Sequence, residues 1–230
     1  VPSLPDPGTV ARLDGDEARH ARARRLRSGD AVVLVDGSGR EAAAVVIRVS
    51  RDVVEVRVES IVLSAGDRLG PIHLLVAAVR SERLAWIAEK ATELGVARMT
   101  VVSSARTQAF RASGSAAVRL ERVVREAAKQ CDRSDWPRIE GPIPFGDAVR
   151  AERSTRLVLD PAGEPFPATL PPGPTALLVG PEGGWTEAEL EAAIAEGWAA
   201  VSLAAGKLRA ETAAVAALTL ARTALARFPH

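Results

Sequence analysis

The chain has 230 residues, 47% of them apolar, and thirty basic against twenty-nine acidic side chains leave a formal charge of +1, which excludes disorder and leaves room for one large domain or a small one plus a medium one. A single cysteine, Cys131, excludes an intramolecular disulfide and a cysteine-cluster zinc site, and His20, His73 and His230 are scattered, so no metal is expected. No apolar run reaches membrane-spanning length and the first thirty residues hold no apolar signal core, so a cytoplasmic location is expected.

Residues 19–27 carry Arg19, Arg22, Arg24, Arg25 and Arg27 with no acid. The guanidinium fork donates two parallel hydrogen bonds to phosphate oxygens, so this density suits a polyanion, although a solvated helix face has the same look. From Ala31 the rhythm is that of strands. Ala31–Val35 runs into the turn Asp36-Gly37-Ser38-Gly39, then Ala42–Val49 follows, and Val54, Val56 and Val58 alternate with Glu55, Arg57 and Glu59. This pattern predicts a small antiparallel β unit ending near Leu63, with residues 64–71 as a linker.

After Pro71 strands alternate with helices: a continuous apolar strand over Ile72–Val79, a helix over Glu82–Leu94 ended by Gly95, a strand over Met99–Ser103 and a helix over Ser115–Cys131. Strands recur at Leu157–Asp160, Ala176–Gly180 and Ala199–Leu203, with helices over Glu187–Glu196 and Glu211–Arg227. The alternation predicts an α/β domain with a mostly parallel sheet covered on both faces. Arg119, Arg122, Arg125, Lys129 and Arg133 recur at roughly helical spacing, so most of this second basic set shares one face. Basic groups outnumber acidic ones over 80–138, and the reverse holds over 139–205.

Two segments carry the chemistry. Leu177–Thr186 and Ser202–Ala213 each couple a short apolar strand to a glycine-containing loop and a helix start, so backbone groups of both loops can converge on one small ligand at the carboxyl ends of the strands. In the first, Pro181 stiffens the turn, Gly183 and Gly184 allow positive φ and close approach, and Thr186 with Glu189 forms a capping-box pattern. Read alone, that loop equally fits an ordinary strand-to-helix turn. Gly37-Ser38-Gly39 lacks the third glycine and the following helix of a dinucleotide fingerprint, and no glycine loop ends in Gly-Lys-Ser/Thr, so Rossmann and phosphate-loop chemistry are excluded. Cys131 has no histidine near it in sequence and reads as packing.

These two segments, with Trp86–Val96, Arg125–Arg133, His20–Asp30 and Asp36–Gly39, give the chain a pattern that resembles the RsmE family of 16S ribosomal RNA uracil-N3 methyltransferases over essentially its whole length. The resemblance implies a PUA-like RNA-binding β-barrel over residues 1–68 and, over 69–230, a SPOUT domain whose trefoil knot binds S-adenosylmethionine. It also implies a homodimer with the site near the subunit interface and 16S rRNA, or the small ribosomal subunit, as substrate. The cofactor loops carried over are Leu159-Asp160-Pro161, Val179-Gly180-Pro181-Glu182-Gly183-Gly184, and Leu203 to Thr212 with Ala204, Leu208 and Ala210. Candidate RNA contacts are the five arginines of 19–27 together with Arg80, Arg106, Arg125, Lys129 and Arg133.

The chain departs from the family pattern at Ala204, Gly206 and Lys207, and at Arg80-Ser81, where the family has a Lys-Gly pair. Methylation of uracil N3 removes an imide proton and needs no covalent nucleophile; Glu182 or Glu211 would accept the proton, and Arg209 would stabilise the charge that develops on the two carbonyls. N3 lies on the Watson–Crick edge, so the base must be unpaired or extruded. The rival expectations are a non-catalytic RNA-binding protein that retains the SPOUT fold and an enzyme that binds a small anion on the glycine loop.

Overall fold

The computed structural model describes residues 1, 3–63, 70–107, 114–152, 154–204 and 206–227, with backbone alone over 114–116. Ser64–Leu69 of the expected linker, His230, and Ala205 of the expected cofactor loop lie outside the described residues. The chain divides into two units, 1–66 with 132–135, and 67–131 with 136–230.

The first unit contains β1 (Val10–Asp14), α1 (Gly15–Ala23), β2 (Ala31–Val35), β3 (Arg40–Val49) and β4 (Val53–Leu63), an antiparallel sheet in the order β1-β4-β3-β2. Side chains alternate across a strand, so Val54, Val56 and Val58 fall on one face and join Leu13, Leu34, Ala42, Ala44 and Val46 in a core. α1 adds Ala18 and Ala21 to that core. The helix holds only Arg19 and Arg22 of the arginine run: it ends at Ala23, Arg25 takes φ 56°, and Arg24, Arg25 and Arg27 lie beyond it, all exposed.

The second unit contains β5 (Ile72–Ala77), α2 (Ser81–Glu93), β6 (Arg98–Ser103), α3 (Gly114–Gln130), β7 (Arg138–Pro144), α4 (Phe145–Ala151), β8 (Thr155–Pro165), β9 (Thr175–Val179), α5 (Glu187–Ala195), β10 (Ala199–Ser202) and α6 (Ala210–Ala226). Every strand pairing is parallel, in the order β10-β8-β9-β5-β6-β7. A parallel strand covered on both faces must be apolar throughout, and all of β5 and β9 is buried. Leu74, Val76, Leu177 and Val179 meet α2, α3 and α6 on one face. Leu75, Ala77, Ala176 and Leu178 meet α4 and α5 on the other.

The helices show the matching period. Leu84, Ile87, Ala88, Ala91 and Thr92 form the buried stripe of α2, and α6 buries Leu218 and Leu225 together with Ala210, Ala214, Ala217, Ala221 and Ala224, whose small side chains let it lie close to the sheet. At the amino ends of β5 and β6, His73 Nε2 lies 2.8 Å from Thr100 Oγ1, and Arg98 Nη2 donates to Glu152 Oε1 at 2.6 Å. Burial works against the Glu152 charge, yet the contacts with His73, the Arg98 guanidinium and Ser154 together hold its carboxyl below the usual glutamate range.

Candidate active site

A cleft of about 250 Å³ opens at the carboxyl ends of β8, β9 and β10. Its walls come from Arg106, Leu159-Asp160-Pro161, Val179 to Trp185, Val201, Leu203, Ala204, Gly206, Lys207 and Leu208, and the start of α6 at Ala210 and Ala213. Each wall has a local cause. β8 and β10 change register between Ala200 and Val201: Val158 pairs with Ala200, whereas Glu164 pairs with Val201, so residues 159–163 leave the ladder and the first three of them line the cleft. Asp160 Oδ1 accepts from Ala162 N at 2.8 Å and shapes that excursion. Gly163 permits its return, because a Cβ there would sit 2.6 Å from the backbone of Ala200 and Val201.

The loop after β9 closes with Gly184 N donating to Pro181 C=O at 2.8 Å, and Gly184 takes φ 71°. Of the two glycines expected to use positive φ, Gly184 alone does so; Gly183 lies outside the left-handed region. The capping box is present, with Glu189 N donating to Thr186 Oγ1 at 3.2 Å and Thr186 N donating to Glu189 Oε2 at 2.9 Å. Glu189 also reaches outside its own helix, accepting from Ala105 N at 2.8 Å through Oε1. The next residue, Arg106, donates from Nη1 to Gly183 C=O at 2.7 Å and to Trp185 C=O at 3.1 Å. Arg106 was expected on RNA; its guanidinium is turned onto the loop backbone and lines the cleft.

Of the residues expected to hold the cofactor, Leu159 to Pro161, Val179 to Gly184, Leu203, Ala204, Leu208 and Ala210 line this cleft, whereas Thr212 is exposed on the first turn of α6. Of the three expected to act in the chemistry, Glu182 lines it and Arg209 and Glu211 stand beside it. Arg209 is the N-cap residue of α6, exposed, and makes no side-chain cap. Arg83 on α2 lies among these groups: its Nη1 contacts Glu182 Oε1, and its Nε is 3.8 Å from Glu211 Oε1. Glu211 Oε2 is buried without a hydrogen-bond partner among the described residues.

A family profile for an RNA methyltransferase domain matches residues 67–222, and one for an RNA methyltransferase PUA domain matches 13–59. The chain is 35% identical to the ribosomal RNA small subunit methyltransferase E of Mycobacterium tuberculosis, over 95% of this chain and 88% of that protein. It belongs to the ribosomal RNA small subunit methyltransferase E family. Another relative of that name, from Bacillus subtilis, is 30% identical over 90% of this chain and 87% of its own length. The crystal structure of the Neisseria gonorrhoeae ribosomal RNA small subunit methyltransferase E bound to S-adenosyl methionine superposes with a TM-score of 0.87 at 26% identity, covering 95% of this chain and 93% of that one.

The cleft fits such a cofactor on its own chemistry. Leu159, Val179, Val201, Leu203 and Leu208 offer apolar walls for a flat ring, and the three loops bring backbone donors and acceptors to its edges. Gly180 lets the Trp185 indole pack close to the loop backbone, since a Cβ there would stand 3.2 Å from it.

The basic positions separate. Arg119, Arg122 and Arg125 are exposed on α3, while Lys129 donates to Glu126 at 3.1 Å. Arg133 does not share their face: it lies past the helix end, in the 132–135 segment of the first unit, and forks onto Asp135 at 3.1 and 3.2 Å. Arg19 pairs with Asp16, and Arg80 is exposed at the N-cap of α2. Sequence reasoning missed Val201, Ala213 and Arg83 at the site. Val201 and Ala213 carry only apolar patterning, but Arg83 lies three residues after Arg80 and so had the helical spacing that would have placed it. Among the described residues no group of three or more His, Cys, Asp or Glu side chains could hold a metal, and no helix is long and apolar enough to cross a membrane.

Proposed function

We propose that the protein is an S-adenosylmethionine-dependent methyltransferase that modifies N3 of one uridine in the 16S rRNA of the small ribosomal subunit. The observation that carries this reading is the convergence of three loops, distant in sequence, on one cleft at the ends of β8, β9 and β10. Membership of a family whose relatives carry that name supports it. The same reading includes a trefoil-knotted SPOUT domain from residue 69, a PUA-like RNA-binding unit over 1–68, a homodimer and a cytoplasmic location.

Bound in the cleft, S-adenosylmethionine supplies a methyl carbon on a sulfonium sulfur, and the C–S electron pair leaves with sulfur as uracil N3 bonds to that carbon. The residues then have distinct tasks. Glu211 accepts the N3 proton at Oε2, the oxygen that is buried and unpartnered among the described residues. Glu182 is the weaker choice: its side chain is 51% exposed against 18% for Glu211, and it contacts the Arg83 guanidinium through Oε1. Arg209, at the start of the same helix, stabilises negative charge on the uracil carbonyls as the proton leaves. Arg19, Arg22, Arg24, Arg25 and Arg27, with Arg80, Arg125, Lys129 and Arg133, hold phosphates.

Incubation with S-adenosylmethionine and either naked 16S rRNA or assembled small subunits, followed by mass spectrometry of the nucleosides, tests the proposal. N3-methyluridine is the expected product. RNA binding without methyl transfer to either substrate would instead establish the non-catalytic RNA-binding reading.

A further inference from the structure

We propose that Arg83 is a positioning residue for the proton acceptor, tying Glu182 and Glu211 to helix α2 so that the Glu211 carboxylate is held with Oε2 unshared. The proposal rests on the methyltransferase reading above. Three elements meet at this guanidinium: α2 through Arg83, the loop after β9 through Glu182, and the first turn of α6 through Glu211. Two carboxylates repel each other unless a cation lies between them, and a planar guanidinium has donors enough to face both. Glu182 contacts Nη1, whereas Glu211 stands 3.8 Å from Nε through Oε1 only. The second Glu211 oxygen is left buried with no donor among the described residues. An acceptor in that condition beside a cleft is suited to a donor brought by the substrate.

Arg83 does not build the fold or the cofactor walls. The buried stripe of α2 is Leu84, Ile87, Ala88, Ala91 and Thr92. The loop over 181–185 is held separately, by Arg106 on the carbonyls of Gly183 and Trp185 and by the Gly184-to-Pro181 hydrogen bond. Loss of Arg83 therefore acts on where the two carboxylates stand.

The test compares R83Q and R83K with the unsubstituted full chain and adds E211Q and R83Q/E211Q. Three readouts are needed: calorimetry with S-adenosylmethionine, hydrogen exchange over 180–184 and 210–213, and single-turnover methylation of the RNA. R83Q is expected to bind cofactor within about threefold of normal, to exchange faster over both segments, and to lose on the order of tenfold to a hundredfold in rate. R83K keeps the charge without the fork and falls between the two. In the E211Q background, R83Q should cost no more than about twofold further, because both changes act on one carboxylate. Losses that multiply in the double variant, or an unchanged R83Q rate in a preparation whose unsubstituted protein methylates, overturn this proposal alone. No methyl transfer by the unsubstituted protein overturns the methyltransferase reading and this proposal with it. Should R83Q not fold, R83K, which keeps an aliphatic stem on α2, carries the comparison in both backgrounds.

Discussion

Replacing Gly184 by alanine should weaken the cofactor loop, whereas the same change at Gly183 should not. Gly184 takes φ 71°, and nothing lies within 4 Å of a Cβ built there, so the penalty is conformational and owes nothing to a clash. The left-handed region costs an L-residue about 1–2 kcal/mol. Loss of glycine's freedom in the unfolded chain returns roughly 0.4–1 kcal/mol, which leaves G184A destabilised by about 1 kcal/mol. In a domain of this size that lowers the melting temperature by about 2–4 °C. At Gly183 the backbone is outside the left-handed region, and an added Cβ meets Arg106 Cδ at 3.4 Å, an ordinary contact, so G183A should be neutral or slightly stabilising. Asparagine tolerates left-handed backbone, so G184N should recover most of the loss. Thermal melts and calorimetry with S-adenosylmethionine read the two ways the strain can appear. A loop that keeps its conformation lowers the melting temperature, and one that relaxes out of it weakens binding, by about tenfold for each 1.4 kcal/mol. If G184A matches G183A in both, the left-handed turn is not what shapes this loop.

Arg106→Ala removes two hydrogen bonds from a charged donor to the loop carbonyls, and S-adenosylmethionine affinity should fall about tenfold with little change in melting temperature; calorimetry reads it, and unaltered affinity would return Arg106 to the role of an RNA contact. Replacing Arg22, Arg24, Arg25 and Arg27 together by alanine should weaken RNA binding and flatten its dependence on salt while sparing cofactor affinity, since each lost phosphate contact releases fewer counterions, roughly 0.7 to 0.9 per contact. An unchanged salt slope would make these exposed arginines a solvated surface. The lowered Glu152 carboxyl makes stability pH-dependent in a definite direction: its contribution is present above the ordinary glutamate value of 4.5 and is lost as pH falls through the lower folded value. E152Q should therefore cost roughly 1–3 kcal/mol in urea melts at pH 7 and show a shallower decline on acidification, and parallel pH curves would exclude the carboxylate as the cause.

Legibility followed physical strength of signal. β4, β5 and the helices α2, α3, α5 and α6 could be read from the chain because burial on one or both faces imposes a period, as at Val54, Val56 and Val58 or along α6. β7 and α4 could not. β7 contains Gly141, Pro142 and Pro144, residues that break a strand pattern and are tolerated because β7 is at a sheet edge; α4 has only seven residues, two turns with Phe145, Ala148 and Val149 buried. β1 and α1 escaped because the charge of the arginine run masked the buried Ala18 and Ala21. At the site, loops adjoining apolar strands were legible as ligand-binding turns. The Gly163 close approach and the Arg83 contacts were not, because each depends on a partner far along the chain: Ala200 for one, Glu182 and Glu211 for the other.

The strand order has a consequence for synthesis on the ribosome. The sheet begins as β5-β6-β7 in chain order, but β9 is then laid beside β5, β8 beside β9, and β10 outside β8. The cleft therefore draws its wall residues from Arg106 through Ala213, and its last wall belongs to α6. A nascent chain that has released everything through β9 still has no complete cleft. Since chains emerge from the N-terminal side at about 5–20 residues per second, the ability to retain S-adenosylmethionine should arise abruptly, and late. Cofactor capture by stalled chains of increasing length would thus time the final step of this domain's assembly.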